Sequence, residues 1–178
     1  CIYRGWMLQP EKYEELYERL REKGLKLINT PAEYRNCHEF PNAYPQLKSF
    51  TPKIMTFGPD EEINWTSVQE NFARFMMKDY VKSVKGSDFP AYFDRGYSAK
   101  EMERYKAEFI RLRGELFVGG IVLKEYVELK KMGQVTNEYR AFYLGGKLMT
   151  LSPNSNQKGG AAVPASLVEG MPGLASNY

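Results

Sequence analysis

The sequence has one histidine, His38, and two cysteines, Cys1 and Cys37. A structural zinc takes about four nitrogen or sulfur ligands, so these three residues do not make a site. Cys37 and His38 are adjacent, and neighbours in sequence seldom reach the geometry of a thiolate and its base. A loop thiol beside a surface histidine is the plainer reading. Cys1 stands at one end, so no disulfide framework is expected, and a reducing cytoplasm is the expected compartment. No stretch approaches the roughly 18 uninterrupted apolar residues of a membrane helix, and no membrane partner is expected.

Neither sign of charge dominates: 25 lysines and arginines face 22 acids, for a net charge of +3. That is too mild to demand a nucleic-acid partner, although it suits an anionic ligand. There is no Gly-x-x-x-x-Gly-Lys-Ser/Thr phosphate loop and no Gly-x-Gly-x-x-Gly turn, and Gly119-Gly120 and Gly145-Gly146 are too short to replace them. A nucleotide, if one binds, is therefore held by strands and lysines rather than by a helix N-terminus.

What is present is ordinary globular composition: 178 residues, 43% hydrophobic and 26% charged. A chain of this size can bury roughly two-thirds of its unfolded surface and needs no staple to fold. Both ends read as cut. Cys1-Ile2-Tyr3 looks like the inside of a strand, and Leu174 to Tyr178 closes no element, so a piece of a longer protein, truncated at both ends, is expected.

Pro10 suits a first helical turn, and Tyr13, Leu16, Tyr17 and Leu20 follow at helical spacing to a stop at Gly24. Leu25–Ile28 reads as a short strand. Prolines 31, 41, 45, 52 and 59 predict an irregular crossing segment over 30–59, anchored by Tyr34, Phe40, Tyr44 and Phe50. Thr66 or Ser67 is the expected cap of a short helix ending near Arg74, before a strand over Phe75–Val81. A loop over 82–96 leads to the capping box Ser98-x-x-Glu101 and a helix with the stripe Met102, Tyr105, Phe109 and Leu112. Ile121–Val127 is a strand by β propensity. Tyr139–Leu144 and Lys147–Leu151 flank Gly145-Gly146 as a hairpin, and the small residues from Asn154 to Gly173 read as loop.

Three predicted strands carry a cation among apolar neighbours: Lys78, Lys124 and Arg140. A single mid-strand lysine is usually an edge guard or a snorkelling side chain. A cation there loses hydration unless it meets an anion, and three on neighbouring strands are better explained by a bound polyanion, phosphate being the commonest.

Phe75-Met-Met-Lys-Asp-Tyr-Val-Lys-Ser83, Gly119-Gly-Ile-Val-Leu-Lys-Glu-Tyr-Val-Glu-Leu129 and Thr136-Asn-Glu-Tyr-Arg-Ala-Phe-Tyr-Leu144 occur in that order, after Tyr3-Arg-Gly-Trp-Met7. This set resembles the ATP-grasp superfamily, and more narrowly the divergent clade named for one arginine and two lysines, with its bacterial and phage family. The resemblance implies an α+β fold of antiparallel strands with helices, in two subdomains around a nucleotide cleft. Residues 1–60 would form a partial N-terminal strand–helix–strand segment with its crossing loop. Residues 61–178 would form the nucleotide-binding region without its C-terminal metal-binding strands. Lys78 would contact the α- and β-phosphates. Lys124-Glu125-Tyr126-Val127 would be the hinge strand, where either Glu125 takes the adenine amino group or Lys124 replaces that acid and faces the phosphates. Tyr126 and Val127 would supply main-chain contacts. Glu138 matches the superfamily's ribose-binding acid and Arg140 the clade's arginine, with Arg140 and Lys124 carrying catalysis.

The reaction this implies is activation of a carboxylate by ATP as an acyl phosphate, followed by attack of an amine, with a peptide or protein as one candidate acceptor. Magnesium would bridge the phosphates on acidic ligands expected outside this chain, since Glu169 is the only acid after Leu151. Plainer readings stand beside these. Glu138 and Arg140 can be a solvated i,i+2 pair, and Glu125 an exposed strand residue. Lys82 and Lys85 can be loop charges or a lid over the phosphates, and Arg4 a cation stacked on Trp6 or a substrate clamp. Two other functions remain open: a non-catalytic ATP-binding assembly factor, like the clade's eukaryotic member, and a basic nucleic-acid-binding α/β domain.

Overall fold

A computed structural model describes residues 1–84, 87–132 and 135–153. They form two compact units, Cys1–Tyr126 and the chain from Val127 onward.

The first unit opens with helix α1, Pro10–Glu22, whose proline occupies the first turn as expected, and the chain leaves it through Gly24. Tyr13 faces inward, while Leu16, Tyr17 and Leu20 are half-buried. The two flanking segments expected to be strands are not. The Cys1 ammonium donates to the Lys26 carbonyl, and the Ile28 N–H donates to the Cys1 carbonyl at 3.0 Å. One such exchange, with no further ladder, does not make a sheet.

The segment 30–59 is not irregular: it holds helices α2, Pro31–His38, and α3, Phe40–Leu47, before strand β1, Ile54–Phe57. Pro31 and Pro41 lie in first turns, where the missing N–H has no partner to lose. Thr30 and Glu33 form a reciprocal capping box that starts α2. Helix α4, Trp65–Asn71, is capped by Asn64, whose side chain accepts from the Ser67 N–H at 3.0 Å, and not by Thr66 or Ser67.

Strand β2, Arg74–Asp79, pairs with a two-residue strand β3, Phe93–Asp94, inside the stretch expected to be loop. Helix α5, Ala99–Arg113, begins at the expected Ser98/Glu101 box. Strand β4, Ile121–Glu125, ends two residues earlier than predicted. The sheet is antiparallel in the order β1-β4-β2-β3.

Strand alternation divides this sheet cleanly. Phe75 and Met77 of β2, Leu123 and Ile121 of β4, and Phe93 of β3 face a core shared with Trp65, Val68 and Phe72 around α4 and with Met102 and Phe109 of α5. Phe89, Tyr97 and Tyr105 add edge-to-face contacts around Phe93, with centroids 5.1–5.8 Å apart, a geometry that favours the ring quadrupoles. Met76 and Lys78 of β2 and Val122 and Lys124 of β4 alternate onto the opposite face.

In the second unit, β5, Lys131–Met132, pairs with β6, Val135–Thr136. Strands β7, Tyr139–Leu144, and β8, Lys147–Pro153, form the predicted hairpin. Gly145 and Gly146 have φ of 56° and 75°, the pair of left-handed residues that a two-residue turn demands. A register shift follows Phe142. Arg140 thus belongs to a separate two-stranded sheet, so among the described residues only two of the three cationic strands are neighbours. Residues 154–173 and Lys85 lie outside the described residues.

Candidate functional site

Met76 stands opposite Lys124, and Lys78 lies two residues along β2 on the same face. Both lysines therefore project from one side of neighbouring strands. They meet Phe40, at the start of α3: Lys78 Nζ is 5.4 Å and Lys124 Nζ 4.7 Å from the ring centre. The ring is held there by its own main chain, whose N–H donates to the Tyr80 carbonyl at 2.8 Å. An aromatic face stabilises an ammonium ion but carries no net charge. Two half-buried cations around one ring make this face of the sheet basic. Burial holds the Lys124 ammonium below its ordinary value.

The turn after β2 supplies the next wall. Asp79 is wholly buried, and its Oδ1 accepts from the N–H groups of Val81 and Lys82 at 2.7 and 2.6 Å. Its Oδ2 accepts from Arg113 Nε at 2.7 Å, and Arg113 Nη2 donates to the Leu116 carbonyl. This pair ties the end of the lysine strand to the end of α5, and sets the path of the chain through Lys82 and Ser83. A cavity of about 480 Å³ opens there, lined by Lys78, Val81, Lys82, Ser83 and Arg113. Two lysines and a hydroxyl around one concavity are the donor set that phosphate oxygens take.

Lys82, by sequence a loop charge or a lid residue, lines this cavity, and its Nζ stands 5.6 Å over the Trp6 ring. The cation on Trp6 is therefore Lys82 and not Arg4. Trp6 is presented outward because Tyr3 folds back over Gly5 and donates its hydroxyl to the Trp6 carbonyl at 2.6 Å. A Cβ on Gly5 would come within 2.4 Å of that hydroxyl oxygen. A larger residue here would push the Tyr3 ring aside. His38 stacks on Tyr34 at 5.1 Å, and Tyr34 on Tyr13 at 3.9 Å. Burial pushes the imidazole below its ordinary value, and nearby Lys82 adds to this, against Glu39 and Asp79. Cys37 is exposed.

At the other end of β4, the Glu125 carboxylate accepts from the Lys53 N–H at 3.3 Å, and the Glu125 N–H donates to the Lys53 carbonyl. The Tyr126 N–H donates to the Arg74 carbonyl at 2.9 Å. The Arg74 guanidinium lies 4.9 Å from the Tyr126 ring centre and 5.2 Å from that of Tyr92. Val127 begins the second unit and is exposed. In that unit Glu138 and Arg140 are both exposed, with Glu138 accepting from the Thr136 hydroxyl and Arg140 opposite Ser152. Among the described residues, no group of three or more acids, histidines and cysteines is placed to hold a metal ion. No described helix is long and apolar enough to cross a membrane.

Residues 63–172 match the model of an ATP-grasp domain, family 3 of the clade named for one arginine and two lysines. The chain belongs to this ATP-grasp family. Its fold is correspondingly similar to D-alanine–D-alanine ligase from Bacillus anthracis complexed with ATP, with a TM-score of 0.62 and 14% sequence identity over 96% of this chain and 56% of the ligase. A second structure of the Bacillus anthracis ligase gives a TM-score of 0.59 and 14% identity over 96% of this chain and 57% of that one. At such identity the likeness shows the fold alone. This ATP-grasp chain spans a little over half the length of these ligases. No curated protein matches it.

Nothing in the sequence marks Phe40 or Arg113 as a site residue. Phe40 follows His38 and Glu39 at a helix start, far from both lysine strands in sequence. Arg113 has the look of any basic residue in a last helical turn.

Proposed function

We propose that this chain is the ATP-binding part of a ligase that activates a carboxylate for attack by an amine. The observation that carries the reading is the convergence of Lys78 and Lys124 on Phe40, beside a cavity lined by Lys78, Lys82 and Ser83, in a chain of the ATP-grasp family.

In this reading Lys78 contacts the α- and β-phosphates, and Lys124 faces the phosphates rather than the adenine. Support for the second assignment is that Lys124 lies over Phe40 with Lys78, while Glu125 is engaged with Lys53. The Tyr126 N–H is already bonded to Arg74, so the N–H of the proposed main-chain contacts at Tyr126 and Val127 comes from Val127. Glu138 is assigned to the ribose and Arg140 to the transferred phosphate. Residues 1–60 serve as the N-terminal segment and 61–178 as the nucleotide-binding region.

The chemistry is balanced in two steps. A carboxylate oxygen bonds the γ-phosphorus as the bond to the β–γ bridging oxygen breaks, and ADP leaves with that electron pair. The amine then attacks the acyl carbon, loses a proton, and phosphate departs. The lysines and Arg140 neutralise charge and fix position, which is where phosphoryl transfer gains most of its rate. Magnesium, when bound, would supply positive charge at the phosphates, held by acidic ligands outside this chain. A peptide or protein acceptor belongs to this proposal as one of its amine substrates.

The test is titration calorimetry with ATP on the parent, Lys78→Ala and Arg140→Ala. Both variants are expected to bind at least about tenfold more weakly while keeping the parent's circular dichroism. Parent-like affinity in both overturns the site. Stoichiometric binding without ADP release, on addition of magnesium, carboxylates and amines, would favour the assembly-factor reading instead.

A further inference from the structure

The basic cavity has a smaller neighbour. About 120 Å³ in volume and open to solvent, it is walled by Trp6, Met7, Leu8, Leu116 and Val118 with the polar Gln9 and His38, and it shares Val81, Lys82 and Arg113 with the cavity assigned to phosphate. The lining is mostly aliphatic and aromatic. Arg113 is committed to Asp79 and Leu116, so Lys82 is the cation on the shared wall that can meet a new anion. Its ammonium is steadied over the Trp6 ring.

Resting on the carboxylate-activating function above, we propose that this small cavity receives the hydrocarbon chain of a short aliphatic monocarboxylate, with its carboxylate at Lys82 on the boundary between the two cavities. Size suits a short chain: an apolar cavity of about 150 Å³ accepts a benzene ring, so about 120 Å³ takes about four or five carbons. Lining sets the charge. A second carboxylate on the far end would meet Met7, Leu8, Gln9, Leu116 and Val118, with no lysine or arginine among them. The placement puts the carboxylate next to the Lys78/Lys82/Ser83 cavity, which is assigned to phosphate.

The chain carries its own reporters, since His38 is its sole histidine and Trp6 one of two tryptophans. The other, Trp65, is buried with its indole N–H bonded to Glu103 at 2.7 Å. Sodium acetate, butyrate, isovalerate and succinate, and neutral butyramide, are titrated into the labelled chain with and without saturating ATP, following the indole and imidazole resonances. Butyrate and isovalerate are expected to shift Trp6 and His38 saturably and leave Trp65 still, with succinate and butyramide weaker by at least about tenfold. Met7→Trp, which fills the cavity, and Lys82→Gln, which removes an exposed charge, should each abolish the response. The lysine variant decides if the bulkier one disturbs folding. Unsaturable shifts, equal binding of butyramide and butyrate, or parent-like binding by both variants overturns the pocket. ATP binding without any carboxylate response faults the pocket alone. Carboxylate binding without ATP binding leaves the pocket standing and removes the ligase reading.

Discussion

Lys78 and Lys124 lie on one face of adjacent antiparallel strands, and their ammonium nitrogens approach a single ring, Phe40, to 5.4 and 4.7 Å. Two like charges meet at one ring, and for Lys124 burial already works against the charged form. Lys124→Met should therefore raise the thermal midpoint of the ligand-free protein while weakening ATP binding roughly ten- to a hundredfold. Scanning calorimetry and an ATP titration on the same sample check both signs. A variant that loses stability and keeps affinity contradicts the assignment.

The ion pair beneath that turn behaves in the opposite way. Asp79 is buried and holds two main-chain N–H groups as well as Arg113. Removing one member strands the other, at a cost of about 3–5 kcal/mol. Urea unfolding of Asp79→Ala and Arg113→Met should show losses of that order, and a loss well below about 1 kcal/mol in both would mean the pair is not formed.

Acid should weaken the fold through His38. Its imidazole is held below the ordinary value of 6.5, chiefly by burial. The unfolded chain then takes up the proton first as pH falls, so this contribution is complete above about 6.5 and is lost on acidification from there down through the folded value. Urea midpoints measured between about pH 5 and 8 should fall on the acid side, and His38→Gln should flatten that part of the profile. An unchanged slope in the variant assigns the acid loss to other groups.

Phe93, in the stretch expected to be loop, is fully buried and ringed by Phe75, Phe89, Tyr97 and Tyr105. Phe93→Ala should cost about 3–5 kcal/mol in urea unfolding. The exposed neighbour Tyr92 should cost far less on the same change. Comparable losses at the two positions would contradict the burial of β3.

Helices α1 and α5 are legible in the sequence through a first-turn proline and through Ser98-x-x-Glu101, both local signals. The Gly145-Gly146 hairpin is legible because a two-residue turn admits few alternatives. Helices α2 and α3 escape such a reading because their prolines look like breakers, although at Pro31 and Pro41 they are starters; Thr30-x-x-Glu33 carries the correct signal. Strand β3 is two residues long and owes its existence to burial of one ring, which no period reveals. In the site, Lys78 and Lys124 follow from strand alternation and resemblance to the family. Phe40 and Lys82 do not, since their places depend on a helix start and a turn fixed by tertiary bonds.

The short stretch before α1 is fastened at both ends. Upstream, the Tyr3 hydroxyl grips the Trp6 carbonyl; downstream, the Tyr34 hydroxyl donates to the Leu8 carbonyl at 2.8 Å and accepts from the Leu8 N–H at 3.0 Å. Both anchors use main-chain atoms of the stretch, so neither depends on which side chains stand at positions 6 and 7. Substitutions at positions 6 and 7 therefore leave both fastenings in place, as a chuck holds whichever bit is fitted.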